Sequence, residues 1–130
     1  MAQHPSAGLL SACFLLAACA AAAPPTPSAS EYEHLQDAVA GSADVRDAVQ
    51  AQCRADVRLK PAEEQALIGA MLDIDPPAVP DQFCARLVAA IARGDMSYPD
   101  FVAITEGSED PQLLRRFLRS MRLDPSAVAI

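Results

Sequence analysis

From residue 31 onward, proline or glycine punctuates the chain at Gly41, Pro61, Pro76, Pro77, Pro80, Gly94, Pro99, Gly107 and Pro111. Proline removes a backbone N–H and clashes with the preceding turn, and glycine favours helix ends, so the regular elements between these points must be short. The hydrophobic period then decides between helix and strand. In SADVRDAVQAQCRADV, which begins at Ser42, Val45, Val49 and Cys53 fall at i, i+4 and i+8, which predicts an amphipathic helix with Cys53 on its inner face. Asp44 and Asp47 near its start suit the positive end of the helix dipole. The preceding EYEHLQDAVA reads as a short helix interrupted at Gly41.

Lys60-Pro61-Ala62-Glu63-Glu64 places proline in a first turn with acids behind it, opening a helix through QALIGAMLDI that Asp75-Pro76-Pro77 ends. The next helix starts at Pro80-Asp81, repeats Phe83, Leu87 and Ile91 with Cys84 and Val88 alongside, and stops at Gly94. Ser97-Tyr98-Pro99-Asp100 is a capped helix start for FVAITE, which ends at Gly107. Asp110-Pro111 opens the last helix, QLLRRFLRSMRL, with Leu114, Phe117, Leu118 and Met121 expected inward. No stretch alternates with period two for long enough to make a strand. The expected fold is therefore all-α, a small bundle of four to five short helices over residues 31–124, with a tail at 125–130.

The N-terminal quarter obeys different rules. Residues 7–23 carry no charge, but their strongly apolar part, LLSACFLL, is only eight residues long. That is the length of a signal-peptide core and falls short of the ~20 residues a spanning helix needs. Within it, Leu16-Ala17-Ala18-Cys19 resembles the lipobox of bacterial lipoproteins. The resemblance implies removal of residues 1–18, a lipid on Cys19, and a protein held on a membrane without crossing it. Ala20 following the modified cysteine resembles the pattern that sorts such proteins to the outer membrane, facing the periplasm, rather than to the inner membrane. The leading MAQHPSAG departs from the pattern by lacking Lys and Arg, which leaves open an ordinary leader cut at an A-x-A site near 21–23. Beyond Cys19, AAAAPPTPSAS is small and Pro-rich, so residues 19–30 read as the lipidated cysteine and a semi-extended tether.

Export changes the cysteine arithmetic. The chain has four cysteines; Cys13 leaves with the leader and Cys19 carries lipid, so Cys53 and Cys84 remain. Both fall on inward helix faces, and an oxidising compartment makes one disulfide the expected fate of a lone pair in a small domain. Two buried free thiols are the alternative. No His neighbours them and no C-x-x-C spacing exists, so neither a zinc site nor a redox motif is expected.

Net charge is −7, with 17 acidic against 10 basic residues, which argues against nucleic-acid binding. There is no Trp, and aromatics make up only 5% of the chain, so stacking platforms for bases or sugars are scarce. The charge is uneven: residues 31–110 hold 16 acidic and 6 basic side chains, whereas 111–130 hold 1 and 4. Those four, Arg115, Arg116, Arg119 and Arg122, share one helix and form the candidate partner-binding stripe. They suit anionic headgroups or an acidic envelope protein. The competing reading pairs them with carboxylates such as Glu106, Glu109 and Asp110, or with the helix C-terminus.

Catalytic constellations are missing from the sequence. After the leader the only histidine is His34, with no nucleophile elbow near it, and Glu63 and Glu64, being adjacent, face different ways. Asp73-x-Asp75 runs into two prolines where a calcium loop needs Gly and flexible ligands, and Arg93-Gly94-Asp95 is a helix end. No cofactor, metal or catalytic residue is therefore expected. The functional expectation is a non-enzymatic, lipid-anchored interaction module of the bacterial envelope, an accessory part of an assembly. The alternative is a periplasmic acid-stress holdase, which resembles this chain in size and cysteine count only.

Overall fold

Helix ends organise this chain, and side chains cap four of its six described helix starts. The structure, a computed structural model, describes residues 26–122; the leader at 1–18, Cys19 and the tail at 125–130 lie outside the described residues. Within them run six helices and no strand: α1 Ala29–Gly41, α2 Ala43–Arg58, α3 Ala62–Leu72, α4 Val79–Ala92, α5 Tyr98–Thr105 and α6 Pro111–Met121. A 3-10 turn, Pro76–Ala78, leads into α4. The fold is all-α, as the periodicity predicts, with one helix more than the four to five expected.

Ser28 opens α1 with a capping box: its hydroxyl accepts from the Glu31 N–H at 3.2 Å, and the Glu31 carboxylate accepts from the Ser28 N–H at 2.7 Å. Residues 28–30, expected in the tether, thus belong to the first helix and its cap. Ser42 serves two helices, its N–H donating to the Ala38 carbonyl at 3.1 Å and its hydroxyl accepting from the Val45 N–H at 3.3 Å. Ser97 and Asp110 cap α5 and α6, accepting from the Asp100 and Gln112 N–H groups. Three helices end alike. Asp73, Gly94 and Gly107 turn left-handed, at φ of 56°, 75° and 77°, and the N–H of the next residue reaches back five positions in the chain to close the turn, Ile74 to Gly69, Asp95 to Ala90 and Ser108 to Ala103.

At the centre lies α4, which touches α1, α2, α3 and α6. One side of the core gathers Val57, Leu72, Ile74, Val79, Cys84, Ala90 and Met121. The other gathers Tyr32, Val39, Val88, Ile91 and Met96, and Leu87 and Phe117 pack against both. Cys53 and Cys84 form a disulfide that pins α2 to α4, with Cα atoms 5.8 Å apart. Gly69 permits the closest approach of α3 to the chain that follows it, because a Cβ there would stand 2.5 Å from the Ile74 carbonyl oxygen. Among the described residues no helix is long and apolar enough to cross a membrane.

The inner face of α6 differs from expectation. Leu113 is 4% exposed whereas Leu114, expected inward, is 41% exposed. The inner stripe runs through the buried Leu113, Ser120 and Met121 with the half-buried Phe117 between them, and is fixed at its end by the fully buried Met121. Leu114 sits one position round the helix, on the flank.

Candidate functional site

The four arginines of α6 divide into two groups. Arg116 makes a two-pronged contact with Asp100 on α5, Nε and Nη2 donating to the carboxylate oxygens at 3.3 and 2.9 Å. Those hydrogen bonds hold the Asp100 carboxyl below its ordinary value of 3.8. Arg116 therefore ties α5 to α6 and belongs to the fold. Its partner is Asp100 rather than the Glu106, Glu109 or Asp110 that lie nearer in sequence.

Arg115, Arg119 and Arg122 stand at i, i+4 and i+7 and are exposed, as is the flanking Leu114. With the half-buried Leu118 they line an open hollow of about 500 Å³. None of the three makes an ion pair or side-chain hydrogen bond among the described residues. Arg119 also borders a hollow with Asp95 and Ser120, and Arg122 one with Asp73 and Arg86. Three guanidiniums in a row can grip carboxylates or phosphates through paired N–H groups, and the two leucines add apolar area beside them.

The neighbouring cations are already engaged. Arg46 donates to the Val39 carbonyl at 2.6 Å, Arg86 to the Leu72 carbonyl at 3.0 Å, and Arg93 to the Ser120 carbonyl at 3.1 Å. Arg54 and Arg58 both approach Asp81 across α2 and α4. The cationic face of α6 is thus set apart from arginines whose job is to satisfy helix ends and join helices.

Tyr32 anchors α1 against α5. It is 1% exposed, donates to the Met96 carbonyl at 2.6 Å, and packs its ring against Tyr98 and Phe101, with centroids 5.8 and 4.9 Å away. Burial, with the Asp100 charge adding to it, pushes its phenol up to about 12. Tyr98 in turn donates to the Pro27 carbonyl at 2.9 Å, fixing the chain where it enters the domain. His34 is exposed on α1, and no cluster of three or more His, Cys, Asp or Glu placed to hold a metal occurs among the described residues.

Sequence reading located the arginine face but missed Asp100, whose pairing crosses from α5 to α6 and leaves no local trace. It also missed a cavity beneath α5, built from side chains that each read individually as core. No family model, curated protein or solved structure matches this chain.

Proposed function

We propose that this chain is a non-enzymatic interaction module, anchored to the bacterial envelope through lipid on Cys19, that docks an acidic partner protein on the Arg115, Arg119 and Arg122 face of α6. The observation that carries the reading is the contrast within one helix: Arg116 is engaged by Asp100, while its three neighbours remain without partners among the described residues in a chain of net charge −7. Arginines that are solvated and not paired within the domain can meet a partner's carboxylates, and exposed Leu114 adds apolar area beside them. Lipidation would hold that face near other envelope components and raise their effective concentration.

The test is in two stages. An intact mass of the membrane-extracted protein, starting at Cys19 with acyl mass added, supports the anchor; a chain retaining residues 1–18 removes it. Cross-linking in the envelope then compares the native protein with Arg115→Glu/Arg119→Glu/Arg122→Glu. Loss of one specific acidic partner, with stability changed by less than ~1 kcal/mol, supports the reading. Unfolding of the triple variant makes the arginines structural, and charge-dependent retention on anionic vesicles alone moves the target to headgroups.

A second reading, the acid-stress holdase, has one observation in its favour. The Asp100–Arg116 contact joins α5 to α6 over Phe101 and Phe117, and protonating Asp100 releases it. Suppression of client aggregation at pH 2 to 3 but not at pH 7, with dye binding rising alongside, favours that reading; no acid-dependent suppression dismisses it.

A further inference from the structure

We propose that the cavity beneath α5 is a binding site for a single-chain amphiphile with an acidic head, a long-chain fatty acid carboxylate. Four observations carry it. The cavity measures about 400 Å³, within the ~300–1,000 Å³ span of small-molecule sites, and is more enclosed than the hollows along α6. Phe83, Phe101 and Phe117, every phenylalanine of the described residues, converge on it from α4, α5 and α6. Each is only half-buried although it lies on the inner side of its helix, as are Leu87 and Ile104 beside them. Their remaining exposure is therefore directed at a common space, which is what a site awaiting apolar chain looks like and a filled core does not.

The polar groups of the lining are few and lie at its edge. Thr105 uses its hydroxyl hydrogen on the Val102 carbonyl at 2.9 Å, so its oxygen is left as an acceptor. Lys60 is the one charged residue of the lining, and no carboxylate joins it there, in a chain with 17 acidic residues. Lys60 Nζ meets Glu64 at 3.4 Å on the exposed surface, an arrangement that uses one of its three donors. A ligand carboxylate at the mouth would share or displace Glu64, while its alkyl chain lay against the phenylalanines. An apolar bore with a single cation at the rim selects an anionic head on one chain; a planar polar ligand would find no hydrogen-bonding partners inside.

This inference is independent of the arginine face, which lies on other residues of α6. Its test uses the protein purified with its own processed N-terminus and cis-parinarate, a fluorescent fatty acid, kept below the concentration at which it self-associates. The expected result is one saturable site per chain, displaced by saturated carboxylates whose affinity rises about fourfold per added methylene and then levels off when the cavity is full. Alcohols of equal length should compete about tenfold less well, and Lys60→Gln should weaken carboxylates by about that factor while leaving alcohols unchanged. Ile104→Trp, which fills the cavity, should abolish binding of both. Non-saturable uptake by several molecules per chain would overturn the proposal, as would equal affinity of acids and alcohols, or a Lys60→Gln variant that binds acids normally. If Ile104→Trp does not fold, Lys60→Gln alone decides, because Lys60 is an exposed turn residue whose replacement leaves the core intact.

Discussion

Reducing the Cys53–Cys84 bond is the sharpest probe of how this domain is stabilised. The bond closes a chain segment with a sequence separation of 31. In the chain-entropy model a loop of that length removes about 12 cal/mol/K from the unfolded ensemble, or about 3.7 kcal/mol at 25 °C. Small domains are stable by only about 5–15 kcal/mol in total, so reduction should remove a large part of the margin without unfolding the protein outright at room temperature. At about 4–5 °C per kcal/mol for a domain near 100 residues, the melting temperature should fall by about 15 °C. The assay is thermal melting by circular dichroism at a fixed scan rate, with and without a phosphine reductant, alkylation confirming that both thiols are free. A Cys53→Ala/Cys84→Ala double variant supplies the control, since its melting must be indifferent to reductant. A shift below about 5 °C with both thiols alkylated would refute the argument, because it would mean that the unfolded chain gains little freedom when the α2 to α4 crosslink is cut.

Three further outcomes follow from contacts described above. Gly69→Ala should lose about 2–4 kcal/mol in urea unfolding, since its Cβ would meet the Ile74 carbonyl at 2.5 Å, whereas Gly41→Ala, with nothing within 4 Å, should be neutral or stabilising. Asp100→Asn should lower the melting temperature at pH 7 by a few degrees; because the folded carboxyl titrates below its ordinary 3.8, the native protein keeps this contribution above that value and loses it as pH falls further, so the gap between the two proteins should narrow as pH is lowered below 3.8. Tyr32, with its phenol raised from 10.0 to about 12, contributes fully below pH 10 and progressively less as pH rises towards 12, so ultraviolet titration should show one tyrosine ionising together with loss of structure, and Tyr32→Phe should flatten that alkaline decline at the cost of about 1 kcal/mol at neutral pH.

Much of the fold was legible because its determinants are local. Proline and glycine marked the joints, Ser97 and Asp110 announced their helices, and the periods through Cys53 and Cys84 placed both sulfurs inward, where the structure joins them. The register of α6 was not legible: Leu113 and Leu114 are equally apolar, and only the packing around Met121 and Phe117 chooses between them. The helix α3 ends at Leu72, before the Asp75-Pro76-Pro77 stop that the sequence announces, because Asp73 adopts the left-handed turn without the glycine that usually signals it. Around the candidate site the limit is the same. The arginine row is visible in one helix, but which of its members is free depends on Asp100, sixteen residues away and on another helix. The cavity is further out of reach, being a property of the space between three helices rather than of any segment.

The contact between Tyr98 and the Pro27 carbonyl also sets how the domain bears load. Tension applied through the N-terminal segment enters at Pro27 and Ser28, where the tyrosine hydroxyl and the reciprocal Ser28–Glu31 bonds grip the chain before the first helical turn is reached. Pulling there strains α5 and α1 together, so the first helix is not peeled away one turn at a time. If the domain does yield, extension is interrupted at Cys53, and force passes through sulfur directly to Cys84. The 31-residue interval between them, roughly 105 Å of contour at full stretch, stays hidden from the pull, and the middle of the domain is shielded from a drag that its ends must carry.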